Sequence, residues 1–243
     1  MSSLDSMLAT IAVDDAIHVS GLMHRPAQAR ACLVLAHGAG AGMRHPFMAA
    51  MADALAQLDI ATLRYQFPYM EQGIRRPDSA ALCHATVRAA VAAAHGLVPE
   101  LPLMAGGKSF GGRMTSQAQA AAPLPEVCGL VFLGFPLHPP REPSNERAKH
   151  LSQVRIPMLF LQGSRDAFAQ PSLLQPVIDQ LGTRATLAQF PDADHSFHVP
   201  ARTGRTDAQI RRQMAESLAA WTDSIIQESQ AGPAIGVAPH RAP

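Results

Sequence analysis

Six short runs, at 31–37, 60–65, 101–107, 127–134, 157–163 and 185–190, read as strands, and stretches with a helical period separate most of them. The helical patterns fall at 45–58, 79–95, just after Gly112, 173–181 and 207–226. Parallel neighbours need a long crossover and antiparallel ones do not, so this alternation predicts an α/β fold. Its sheet is mostly parallel, with helices on both faces. The run ACLVLAH at 31–37 is apolar until its last residue, as a strand covered on both sides must be. Two extended stretches, 9–13 and 17–22, come first, and Asp14 and Asp15 between them form a turn pair that predicts antiparallel pairing.

A chain of 243 residues fits one compact domain, placed at 1–228, with 229–243 as a disordered C-terminal tail. Charged residues make up 16% of the chain and hydrophobic ones 47%, which excludes an acidic or polar disordered protein. The net charge is +1 and the arginines are scattered, so nucleic acid is not an expected partner. The start of the chain has neither a basic segment nor a signal-length apolar run, and no stretch approaches the ~20 apolar residues of a membrane span. Cys32, Cys83 and Cys128 are odd in number and widely spaced. They read as reduced thiols of a cytoplasmic protein.

The chemistry gathers at strand ends. Gly107-Lys108-Ser109-Phe110-Gly111 matches G-x-S-x-G between a buried strand and a helix. A sharp strand-to-helix turn exposes the serine, and flanking glycines let the turn pack against its neighbours. Such a serine needs an acid and then a histidine later in the chain. Asp166 follows the strand at 157–163, and His195 follows the one ending at Phe190. Parallel strands put all three C-terminal ends on one edge, where open α/β sheets bind ligands. Ser109, Asp166 and His195 are therefore the expected nucleophile, acid and base.

Two backbone N–H groups should face the oxyanion. One is that of Phe110, and the other comes from the glycine-rich loop 38–42, with Ala39 preferred and Gly40 second. Asp194 adjoins His195 and is poorly placed to orient it, and Asp192 reads as a turn former. His195 and His198 form an HxxH pair, but no carboxylate or cysteine cluster accompanies them, so no metal site is expected. His37 reads as a hydrogen-bonded residue that shapes the loop.

Two phosphate-binding readings fail on named positions. Gly107-Lys108-Ser109 imitates a P-loop ending, but Pro102 stands where its first glycine belongs. The 38–42 loop imitates a dinucleotide turn, but its third glycine is one residue early, and Asp59 precedes the next strand instead of closing it.

The pattern His37-Gly38-Ala39-Gly40, Gly107 to Arg113, Gly163-Ser164-Arg165-Asp166 and Asp194-His195-Ser196-Phe197 resembles the α/β-hydrolase superfamily. More narrowly, it is similar to the dienelactone-hydrolase-like branch, which includes a testis-expressed protein and a chromatin-complex subunit. Residues 64–70 and 136–140 also look like that branch. The resemblance spans about residues 30–228. It implies an eight-stranded-type sheet and carries the nucleophile to Ser109, the acid to Asp166 and the base to His195. Dienelactone hydrolases proper use a cysteine nucleophile, so lactone substrates do not carry over to a chain with Ser109.

The expected activity is that of a serine hydrolase acting on small carboxylic esters or thioesters, with no cofactor and no metal. The alternative is a binding or scaffold protein built on the same fold. The segment 136–154 is the usual site of a cap, and it is too short for a large one. Arg64, Arg75, Arg76 and Arg113 are candidates for an anionic substrate group, although solvated surface is the expectation for each. The sequence leaves the oligomeric state open.

Overall fold

The computed structural model describes residues 6–231. Strands β1 (Ser6–Ala12) and β2 (His18–His24) form an antiparallel hairpin. Its turn is shaped by the Asp14 carboxylate, which accepts hydrogen bonds from the N–H groups of Ala16 and Ile17 at 2.9 and 2.8 Å. The chain continues through β3 (Ala31–Ala36), α1 (Pro46–Ala56), β4 (Ile60–Tyr65), α2 (Pro68–Glu71), α3 (Ala80–Leu97), β5 (Leu103–Lys108) and α4 (Phe110–Ala121). It ends with β6 (Val127–Leu133), β7 (Met158–Gly163), α5 (Pro171–Leu181), β8 (Ala185–Phe190) and α6 (Asp207–Ala231). The eight strands form one sheet in the order β1-β2-β4-β3-β5-β6-β7-β8, antiparallel at β1–β2 and β2–β4 and parallel elsewhere.

Side chains alternate across each central strand, and this divides the core in two. Cys32, Val34 and Ala36 of β3 face one cluster with α3 and α4, while Ala31, Leu33 and Leu35 face the other with α1 and α6. In β7, Met158 and Phe160 join the first cluster, and Leu159 and Leu161 join the second. The order β4-β3-β5 reverses direction at β3, so the ends of β3 and β5 open side by side onto a crevice.

Local chemistry sets the element ends. Pro46 and Pro171 start their helices, where a missing N–H costs nothing, and the Ser79 hydroxyl caps α3 through Leu82 N. β5 begins at Leu103 and not at Leu101, because Pro102 has no N–H to give to a ladder.

Four short elements lie where the sequence reads as loop: α2, single 3-10 turns at Gly182–Arg184 and Ala201–Thr203, and a 3-10 run at Glu146–Gln153, which buries Ala148 and Leu151 and forms part of the short 136–154 segment. The final helix extends through Ala231, so the first residues of the expected tail are helical, and 232–243 lie outside the described residues. Among the described residues, no helix is long and apolar enough to cross a membrane.

Candidate active site

Ser109 occupies the one-residue turn between β5 and α4 with φ 49° and ψ −111°, a conformation that costs a non-glycine residue energy. Close packing holds it there. A Cβ on Gly107 would lie 2.5 Å from the Ala36 carbonyl oxygen, and one on Gly111 would lie 2.6 Å from those of both Ala36 and His37. The two glycines of the motif thus let the turn press against the end of β3.

Asp166 sits in the loop after β7 and is 2% exposed. Its Oδ1 accepts a hydrogen bond from Phe168 N at 2.8 Å, and its Oδ2 accepts one from Gln162 Nε2. Oδ2 also lies 2.7 Å from His195 Nδ1. His195 comes from the turn after β8, which the Asp194 side chain shapes by accepting from Ser196 N and His198 N. Its Nε2 is 2.8 Å from Ser109 Oγ. One tautomer satisfies both contacts, with Nδ1–H donating to Asp166 and Nε2 accepting from the serine hydroxyl. Burial lowers the imidazole pKa, the bond to Asp166 raises it, and the nearby Lys108 lowers it again. The Phe168 ring covers the imidazole, with the centroids 4.2 Å apart.

The loop after β3 completes the wall. His37 is fully buried, its Nδ1–H donates to Gly38 O, and its Nε2 accepts from Phe67 N. Burial pushes its pKa down to about 4, so it is a neutral strut. Gly40 N–H donates to the Tyr69 hydroxyl at 3.3 Å, whereas Ala39 N–H has no partner among the described residues. Phe110 is the first residue of α4, where an N–H precedes the intrahelical ladder. A cavity of about 600 Å³ opens over these groups, walled by Ala39, Phe47, Met48 and Phe168 around Ser109 and His195.

The residues 29–223 match the family model of the alpha/beta hydrolase domain. The chain belongs to the alpha/beta hydrolase family. Among solved structures, this alpha/beta hydrolase is similar to a dienelactone hydrolase from Anabaena variabilis, with 20% identity over 90% of this chain and 97% of that one and a TM-score of 0.71. It is also similar to a Xanthomonas campestris member of the α/β serine hydrolases without a lid (20% identity, 89% and 95% covered, TM-score 0.69). A third likeness is to the esterase domain of a Rhodothermus marinus protein (14% identity, 89% and 97% covered, TM-score 0.68). These likenesses establish the shared fold.

Other candidates lie elsewhere. His198 turns its Nδ1 to Asp207 at 3.0 Å. Among the described residues, no three His, Cys, Asp or Glu side chains are grouped to hold a metal ion. Asp192 takes a positive φ in its turn. Burial pushes the thiols of Cys32 and Cys83 up to about 12. Arg75 and Arg76 are exposed and Arg113 is half-buried, but Arg64 departs from the solvated expectation at 4% exposed. It sits on β4 between two paired strands, opposite Leu22 and Leu35, and reaches Met43 O. None of these four lines the cavity; Lys108 and Arg211 do. Lys108 precedes the serine in the motif itself, which is a signal available in the sequence. Arg211 carries none, because only the packing of α6 against α1 brings it to the cavity.

Proposed function

We propose that this alpha/beta hydrolase is a serine hydrolase that cleaves small carboxylic esters or thioesters through an acyl-enzyme. The single observation behind the reading is the unbroken hydrogen-bonded chain from Ser109 Oγ through His195 to the buried Asp166, set in the wall of a cavity. In this reading, Ser109 Oγ attacks the carbonyl carbon while His195 Nε2 takes its proton, and Asp166 stabilises the imidazolium through Nδ1–H. The N–H groups of Phe110 and Ala39 receive the oxyanion, each contributing about 3 kcal/mol. Collapse of the tetrahedral intermediate expels the alcohol or thiol, which takes the proton back from Nε2. Water, deprotonated by the same nitrogen, then attacks the acyl-serine and releases the acid. None of these steps requires a cofactor. Three free thiols support a cytoplasmic location.

Turnover of short p-nitrophenyl esters tests this reading. Wild type should hydrolyse them, and Ser109→Ala and His195→Ala should each lose ~10⁴-fold or more in kcat. A folded wild-type protein with no turnover would leave the scaffold alternative standing.

A further inference from the structure

The cavity above Ser109 has an uneven charge. No Asp or Glu side chain lines it, while His45, Lys108, His195 and Arg211 do. Three of these already make hydrogen bonds within the protein. His45 Nδ1 accepts from Phe47 N at the start of α1, Lys108 Nζ donates to His195 O at 2.6 Å, and His195 bridges Ser109 and Asp166.

Arg211 is different. It is half-buried on the second turn of α6, and its guanidinium has no hydrogen-bond or ion-pair partner among the described residues. Of the acids on its own helix, Asp207, whose pKa the Arg211 charge helps to lower, already accepts from His198 and from Val199 N, Glu216 pairs with Arg212, and Asp223 pairs with Arg30. Arg211 also stands at a junction, because it and Ala50 line both the catalytic cavity and a second cavity of about 440 Å³ between α1 and α6. Most of the remaining lining of the catalytic cavity is apolar, with Phe47, Met48, Ala50 and Phe168.

We propose that the natural substrate is an ester or thioester whose apolar acyl chain ends in a carboxylate, and that Arg211 receives this carboxylate on the side of the catalytic cavity that it shares with the second one. The inference rests on the serine-hydrolase reading and names its substrate class. An apolar wall selects methylene groups, and a desolvated carboxylate is stable only where a cation meets it. One uncommitted guanidinium matches one negative charge, and its planar fork fits a carboxylate bidentately.

The test compares p-nitrophenyl half-esters of straight-chain dicarboxylic acids with the same esters methyl-capped at the far carboxylate. Wild type should favour the charged half-ester by about tenfold to a hundredfold in kcat/KM, the worth of a charge-assisted pair. In Arg211→Met this ratio should collapse toward unity, and Arg211→Lys should keep part of it. A wild-type ratio at or below unity, or an unchanged ratio in Arg211→Met, overturns the proposal. If wild type turns over the capped ester but shows no preference, only the substrate class fails. If it turns over neither ester, the hydrolase reading fails with it.

Discussion

The ammonium of Lys108 donates a 2.6 Å hydrogen bond to the backbone carbonyl of His195, 87 residues away in sequence. The residue before the candidate nucleophile thus holds the loop that carries the candidate base. The ammonium sits 5.6 Å from the Phe197 ring centroid and 3.2 Å from where a Gly134 Cβ would be. Burial pushes its pKa down to about 8, against the pull of Asp166 and Asp194.

Replacing this ammonium separates activity from stability. In Lys108→Met, kcat should fall about tenfold as the His195 loop loses its tether. Thermal stability at pH 7 should hold or rise, because burying the charged form costs free energy. The folded pKa of about 8 lies below that of an unfolded lysine, so the unfolded chain binds more protons between the two values. Wild-type stability therefore gains as pH rises through that window, and the advantage of the variant shrinks. Melting curves across pH check the sign, and a large loss of stability at pH 7 contradicts it.

The pH profile reports on His195. Its imidazole must be neutral to accept the serine proton, and burial together with the Lys108 charge lowers its pKa more than Asp166 and Asp194 restore it. The acid limb of kcat/KM on an uncharged ester should fall below the ordinary imidazole value of about 6.5. In Lys108→Met the limb should move upward, because a nearby positive charge is gone. A wild-type limb above the ordinary value contradicts this account.

Asp166→Asn keeps the shape of the buried acid but removes its charge and its hold on the tautomer. The drop in kcat should reach ~10³–10⁴-fold, with KM nearly unchanged. A loss of only a few-fold in steady-state kinetics would show that another group orients the imidazole.

Gly111→Ala tests the close approach of the turn to β3. The added methyl meets two backbone carbonyls that cannot swing aside, so the destabilisation should be about 1–3 kcal/mol. Denaturant titration reads it directly. A neutral result would mean that the turn is looser than these distances require.

The parallel sheet was legible because a doubly covered strand such as β3 must be apolar throughout, and few other elements read that way. Ser109, Asp166 and His195 were legible because chain order and strand ends suffice to bring them to one edge. The small residues of the 38–42 loop leave the choice between Ala39 and Gly40 as oxyanion donor to a guess from sequence, because the Tyr69 hydroxyl that the Gly40 N–H meets comes from a distant segment. Short elements escaped, because α2 and the 3-10 run at Glu146–Gln153 depend on tertiary packing and span too few residues to show a period. Charged side chains were hardest to place. The burial of Arg64 follows from a strand order that local pattern does not encode, as does the arrival of Arg211 at the cavity.

If Ser109 is a nucleophile activated by His195, a fluorophosphonate probe must react there, and intact-mass and peptide mass spectrometry read the outcome. One covalent adduct is expected, located on Ser109, with no adduct in Ser109→Ala and much slower labelling in His195→Ala. A folded wild-type protein that stays unlabelled, or that carries the adduct on another residue, would contradict it.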